Sequence, residues 1–152
     1  MQVRRAVPEE AETLWEIRNQ AIRSGCKESY GETVIRNWTP DAMPEGYRHA
    51  VAANPFFVVD GPSGQPVATG YLDLAEGSVE AIFTLPAFNG QGLAGRILAA
   101  IKQEARERGD TQLTLAATPN AAGFYQPQGF TGIKESLYPC APSPTLLRCI
   151  ET

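Results

Sequence analysis

Three glycines within six positions of one segment have the spacing of an anion-binding site. Segment 89–96 reads Asn-Gly-Gln-Gly-Leu-Ala-Gly-Arg, and it lies between a strand-like run at 79–85 and a helical run at 93–108. Because glycine has no Cβ, the backbone of this segment can approach a ligand closely. The first N–H groups of the helix have no partner within it, and the helix dipole places partial positive charge there. The pattern therefore predicts a site for an anion, most typically a phosphate.

The same glycines also match the dinucleotide-binding pattern G-x-G-x-x-G, and Asp110 lies at about the expected distance of 20 residues. The context argues against that match, because residues 86–89 separate the strand from the first glycine. Asp110 precedes the next strand, whereas the ribose-binding acid of that pattern follows it. No lysine follows Gly95, so a G-x-x-x-x-G-K-[ST] phosphate loop is absent. A dinucleotide-dependent oxidoreductase is the weaker alternative.

The elements around this loop predict a mixed sheet with helices on both faces. The predicted strands are 2–7, 56–59, 67–74, 79–85, 113–117, 132–138 and 145–150. Three helices are predicted to begin at Pro8, Leu93 and Thr118, and two more are predicted inside segments 30–38 and 41–53. In the helix that follows the glycines, the apolar residues recur on one face, which is typical of a helix that covers a sheet. These residues are Leu93, Ile97, Ala100, Ile101 and Ala105.

Composition limits the class of protein. The 152 residues suffice for one domain with a substantial core, and we expect a single domain over residues 1–152. The net charge of −4 argues against a nucleic-acid partner and suits a cationic amine. No apolar run approaches the roughly 20 residues that span a bilayer, and no signal peptide is visible, so no membrane association is expected. Cys26, Cys140 and Cys149 form no even set, which favours free thiols in the cytoplasm.

Two motifs resemble those of the GNAT superfamily of N-acetyltransferases. Residues 86–94, Pro-Ala-Phe-Asn-Gly-Gln-Gly-Leu-Ala, are similar to a strand and proline followed by [Q/R]-x-x-G-x-[G/A], with Asn89 at the first position. Residues 120–130, Asn-Ala-Ala-Gly-Phe-Tyr-Gln-Pro-Gln-Gly-Phe, resemble N-A-x-x-F-Y-x-x-x-G-F. The resemblance covers essentially the whole chain. It implies an α/β (α+β) fold with a mixed, mostly antiparallel sheet flanked by helices, in the order β-α-α-β-β-β-α-β-α-β-β.

This resemblance implies acetyl-CoA as the acetyl donor, bound where strands 79–85 and 113–117 part. The main chain near Phe83, Thr84 and Leu85 would hold the pantetheine arm like an added strand. The pyrophosphate would accept hydrogen bonds from the main-chain N–H groups of Gln91, Gly92, Leu93, Ala94, Gly95 and Arg96. The Arg96 guanidinium could add a charged hydrogen bond, and Asn120 could hydrogen-bond near the cofactor or simply begin a helix.

The implied reaction is direct attack of a neutral amine on the thioester. Tyr125 matches the family's usual general acid, which protonates the departing sulfur. Glu80 is the candidate general base, and the alternative interpretation is a solvated carboxylate on a strand. His49, the only histidine, and water are the other possible bases. No metal is expected, and no cysteine acyl-enzyme is indicated because Cys140 has no evident histidine partner.

The acceptor would be an amine of a small molecule, a peptide or a protein. The sequence does not select among these, although its determinants should lie within 30–53 and in the last strands. An edge strand could pair with a second copy, so a homodimer is possible. A catalytically silent module that binds acyl-CoA remains the alternative function.

Overall fold

The computed structural model describes residues 2–25, 31–109, 113–117, 130–135 and 145–149. Its strands are β1 (Val3–Arg5), β2 (Phe56–Asp60), β3 (Pro66–Asp73), β4 (Ser78–Thr84), β5 (Leu113–Ala117), β6 (Phe130–Glu135) and β7 (Thr145–Cys149). Its helices are α1 (Ala11–Gly25), α2 (Glu32–Trp38), α3 (Glu45–Ala53) and α4 (Leu93–Glu107), with 3-10 turns at Pro8–Glu10 and Pro86–Phe88. These bounds agree with the predicted ones to within a few residues. The predicted helix at Thr118 lies outside the described residues.

The described strands form one sheet in the spatial order β1-β2-β3-β4-β5-β7-β6. Neighbouring strands are antiparallel except for β4 and β5, which are parallel. The connection between these two strands contains α4, as a parallel crossover requires. The prediction of a mixed, mostly antiparallel sheet flanked by helices is therefore confirmed.

Helices cover both faces of the sheet, and the alternation of side chains along β2 shows this directly. Phe57 and Val59 join a core cluster with α4, whereas Phe56 and Val58 join a second cluster with α1 and α3. Successive side chains of a strand point to opposite faces, so the two clusters lie on opposite sides of the sheet. We refer to the side covered by α1 and α3 as the α1 face. None of the described helices is long and apolar enough to cross a membrane.

Gly70 fixes how closely α4 approaches the sheet. A Cβ at this position of β3 would lie 2.6 Å from Ile97 Cγ2 of α4 and 2.9 Å from Ile82 Cγ1 of β4. Real Cβ atoms do not approach other heavy atoms this closely, so only glycine permits the observed packing. The predicted apolar face of α4 is buried here, which holds the helix start beside the end of β4.

Candidate active site

Strands β4 and β5 part soon after they meet. Their single register pair in the described residues is Ser78 with Thr114, and the Thr114 N–H donates to the Gly77 carbonyl at 3.2 Å. Beyond this pair no further register pair joins the two strands where the structure describes them. We call this gap the β4–β5 opening. In sheets with parallel strands, ligands bind at the carboxyl ends of such strands, and α4 begins at this end of β4.

A β-bulge bends β4 beside the opening. Thr69 pairs with Phe83 and Tyr71 with Glu80, so Ala81 and Ile82 together oppose the one residue between Thr69 and Tyr71. Ala81 has a φ of 53°, in the left-handed region that residues other than glycine rarely adopt. A bulge increases the local bend of a strand, and this one directs the end of β4 away from a regular path. Strain of this kind recurs at ligand sites.

The last residues of β4 direct their main chain to alternate sides. The Leu85 N–H donates to the Val67 carbonyl at 2.8 Å, so this amide is committed to β3. Residues of an antiparallel ladder alternate between bonded and non-bonded pairs, and Thr84 pairs with Ala68 at the next register position. The Thr84 N–H and carbonyl therefore point to the opposite edge, toward the opening. Of the main-chain groups expected to hold the pantetheine arm, those of Thr84 face the opening and the Leu85 N–H faces β3.

The glycine segment between β4 and α4 has the backbone that glycine alone adopts easily. Gly90 and Gly92 have φ values of 80° and 77°, both in the left-handed region. A 3-10 turn at Pro86–Phe88 stands between β4 and the first glycine. In a dinucleotide-binding unit the strand runs directly into the glycines, so the structure agrees with the rejection of that alternative.

The start of α4 offers a group of main-chain donors. The Arg96 N–H donates to the Gly92 carbonyl at 3.2 Å, which is the first bond of the helix. The amides of Leu93, Ala94 and Gly95 therefore have no partner within the helix, whereas the Arg96 amide, also expected to bind the pyrophosphate, already bonds to Gly92. No side chain caps this end, and its first turn holds no acidic residue. A left-handed residue followed by helical residues turns successive N–H groups toward one point, which suits an anion.

There is room for a ligand beside these amides. A Cβ added at Gly90, Gly92 or Gly95 would meet no described atom within 4 Å. Gln91 lies in the exposed segment just before α4, and the Arg96 side chain is exposed. The space free of described atoms, the amides without a partner in the helix and the positive end of the helix fit a coenzyme diphosphate.

Glu80 lies on the α1 face of β4, partly buried, and it is not the fully solvated carboxylate of the alternative interpretation. The Ser78 hydroxyl donates to Glu80 Oε1 at 2.9 Å. Burial raises the pKa of the Glu80 carboxyl above its usual range, the Ser78 hydrogen bond opposes this rise, and the charges of Asp73 and Glu76 add to it. A carboxyl group with a raised pKa is better matched to proton transfer near neutral pH than an ordinary glutamate.

An aromatic row extends from α1 to the strand beside Glu80. It consists of Trp15, Tyr47, Phe56 and Tyr71, with ring centroids 5.0, 5.9 and 4.0 Å apart in that order. The first two contacts are edge-to-face, and the Phe56 and Tyr71 rings are stacked at 7°. Tyr71 is the cross-strand neighbour of Glu80. Burial raises the pKa of Tyr47, so its hydroxyl stays protonated.

The other predicted site residues are placed as follows. Tyr125 and Asn120 lie outside the described residues. His49, one of the other possible bases, is exposed on α3. Among the described residues, no group of three or more His, Cys, Asp or Glu side chains is arranged to hold a metal ion.

Comparison with known proteins identifies the family. The acetyltransferase (GNAT) domain matches residues 26–138, which is about three quarters of the chain. The chain therefore belongs to the GNAT acetyltransferases, and the resemblance of its two motifs to that family is confirmed. A search of curated protein sequences finds no match.

Solved structures of GNAT proteins share the fold. The GCN5-related N-acetyltransferase from Rhodopseudomonas palustris has a TM-score of 0.84 at 20% identity, covering 97% of this chain and 94% of its own. The PaiA N-acetyltransferase from Thermoplasma acidophilum, solved with coenzyme A, has a TM-score of 0.81 at 14% identity over 98% of both chains. YncA from Salmonella typhimurium, solved with acetyl-CoA, has a TM-score of 0.73 at 16% identity, covering 99% of this chain and 93% of its own.

Sequence reasoning missed two features of the site. The hydrogen bond from Ser78 to Glu80 was discoverable, because residues two apart on a strand share a face. The bulge at Ala81 had no such signal, since alanine gives no indication of a positive φ. Its register is set by pairing with β3, which a local pattern does not report.

Proposed function

We propose that this chain transfers the acetyl group of acetyl-CoA to an amine by direct attack. The observation that carries this proposal is the combination of the β4–β5 opening with the unpaired amides of Leu93, Ala94 and Gly95 at its end. These amides would bind the coenzyme diphosphate, and Thr84 would pair with the pantetheine arm through its main chain. Relatives solved with coenzyme A and acetyl-CoA support the choice of this ligand.

The chain's own residues would then handle the protons. Bound acetyl-CoA supplies an acetyl group activated as a thioester. Glu80 would accept a proton from the acceptor ammonium group, which frees the nitrogen lone pair. As the C–N bond formed and the C–S bond broke, Tyr125, by its match to the family motif, would donate a proton to the departing sulfur, since a tyrosine pKa of roughly 10 exceeds the roughly 8.5 of a thiol. The nitrogen would lose its second proton in this step, and that proton would restore Tyr125.

The acceptor would approach on the α1 face, where Glu80 and Tyr71 are cross-strand neighbours. The net charge of −4 and the carboxylates of Asp73 and Glu76 near Glu80 favour a cationic amine of a small molecule or peptide. We propose the cytoplasm as the compartment, since the three cysteines suit a reducing environment.

A panel of amines tests this function, with release of the coenzyme thiol as the readout. The panel contains diamines, amino acids, peptides with free N-termini and lysine-containing peptides. We expect turnover with at least one class, and a loss of about 10²-fold in kcat for Tyr125→Phe and for Glu80→Gln. His49→Gln is the matched control for the alternative base and should keep its rate. Tight coenzyme binding without turnover across the panel would favour the silent acyl-CoA module.

A further inference from the structure

Ser78 occupies the point at which β4 and β5 separate. It forms their register pair with Thr114, it is only 6% exposed, and its hydroxyl donates to Glu80 Oε1 at 2.9 Å. Because the two residues are two positions apart on one strand, both side chains lie on the α1 face. The hydroxyl therefore holds the carboxylate at the start of the β4–β5 opening.

The charges that act on Glu80 make this contact important. Asp73, the last residue of β3, and Glu76, in the turn that follows, carry like charge and disfavour ionisation of Glu80, as burial does. Two other titratable residues belong to elements packed on this face. Tyr71 of β3 lies opposite Glu80, and the Arg18 guanidinium carbon of α1 lies 4.3 Å from the centroid of the Trp15 ring. Within the part of the chain that the structure describes, the Ser78 hydroxyl is the hydrogen-bond donor that favours the ionised Glu80 carboxylate.

We propose that Ser78 is a positioning residue that orients the Glu80 carboxylate to take a proton from the acceptor amine. This inference rests on the proposed function, in which Glu80 is the base. The acceptor ammonium group would lose one proton to a carboxylate oxygen and keep the electron pair that attacks the acetyl carbon. As the C–N bond formed and the C–S bond broke, the nitrogen would lose a second proton, which balances the one that the departing sulfur gains. Glu80 then releases the proton to solvent. Without the hydroxyl, the carboxylate is free to leave this orientation and is protonated at higher pH.

The first arm of the test needs no acceptor. The Glu80 carboxyl carbon is followed by NMR in protein labelled with ¹³C-glutamate, and Glu80→Gln assigns its signal. We expect the titration midpoint in Ser78→Ala to lie higher than in the native chain by about one pH unit, since a hydrogen bond to a charged group is lost. Ser78→Thr keeps a hydroxyl and should restore the midpoint. If Ser78→Ala does not fold, Ser78→Cys, whose thiol is a weak donor, serves instead.

The second arm measures kcat/KM against pH with the best amine of the panel. The acid limb should move to higher pH in Ser78→Ala and return in Ser78→Thr. Thr69→Val is the matched control, because the Thr69 hydroxyl is buried on the same face without a partner among the described residues. Its removal should leave the acid limb in place. Affinity for acetyl-CoA should be unchanged in Ser78→Ala.

The outcomes separate this inference from the proposed function. If Glu80→Gln is inactive while Ser78→Ala keeps both the native titration midpoint and the native acid limb, the positioning role is wrong and the base remains. If Glu80→Gln retains the native rate and profile, Glu80 is not the base, and the positioning role fails with it. If Thr69→Val shifts the acid limb as much as Ser78→Ala does, the loss of any buried hydroxyl on the α1 face has this effect. That result would also overturn the inference.

Discussion

Gly95→Ala should stabilise the protein and weaken its binding of coenzyme A. Gly95 is the third residue of α4, its φ is not positive, and an added Cβ meets no atom of the described residues within 4 Å. Alanine is therefore tolerated by the backbone, and it is favoured over glycine in a helix by about 0.5–1 kcal/mol. For a chain of this length we expect Tm to rise by about 2–3 °C.

Coenzyme affinity should change in the opposite direction. The new methyl group would occupy the space beside the amides of Leu93, Ala94 and Gly95 that the diphosphate must enter. Loss of one hydrogen bond to a charged group costs about 1.5 kcal/mol or more, which raises Kd at least about tenfold.

Thermal unfolding and calorimetric titration with coenzyme A measure the two effects. Gly46→Ala is the matched control, because Gly46 is the second residue of α3 and also has open space at its Cβ. It should gain similar stability without any change in Kd. Native affinity in Gly95→Ala would refute the placement of the diphosphate.

Three further results follow from the described contacts. Ala81→Gly should leave the free energy of unfolding, measured by urea titration, within about 0.5 kcal/mol of native, because relief of the positive φ offsets the added entropy of the unfolded chain. Ala81→Val should lower the free energy of unfolding by more than about 1 kcal/mol. Gly70→Ala should destabilise the chain by about 1–3 kcal/mol through its contact with Ile97, and a double-mutant cycle with Ile97→Ala should recover part of this loss. Arg4 lowers the pKa of Asp60 through a side-chain hydrogen bond at 2.7 Å. Arg4 lowers the pKa of Glu10 in the same way. The unfolded chain therefore binds these protons first as pH falls. The stability lost in Arg4→Gln, about 1 kcal/mol, should be fully present above the ordinary carboxyl pKa of about 4 and should decline as pH falls below it in urea titrations.

The sequence predicted the fold and the glycine segment before α4 better than it predicted the strand geometry beside that segment. Segment 89–96 was informative because glycine spacing and an apolar helix face are local signals, and α4 begins at Leu93 as predicted. The stacking of Phe56 on Tyr71 and the bulge at Ala81 depend on strand register. That register joins residues far apart in the chain, so no local pattern reports it.

Two details of the main chain beside the opening have the same origin. Whether the Leu85 amide faces β3 or the opening is decided by a single step of register, and its bond to Val67 settles it. The Arg96 amide was expected to bind phosphate, but it lies one position too far into the helix and bonds to Gly92. The role of Tyr125 remains a prediction from the motif that contains it.

Titration of ¹⁵N-labelled protein with coenzyme A, followed amide by amide, tests the placement of the coenzyme most directly. We expect the largest saturable shifts at the amides of Leu93, Ala94, Gly95 and Thr84, with little change at Gly46 on α3. Saturable binding that leaves the α4 amides unmoved and shifts another part of the sheet would contradict the central claim that this helix start holds the diphosphate.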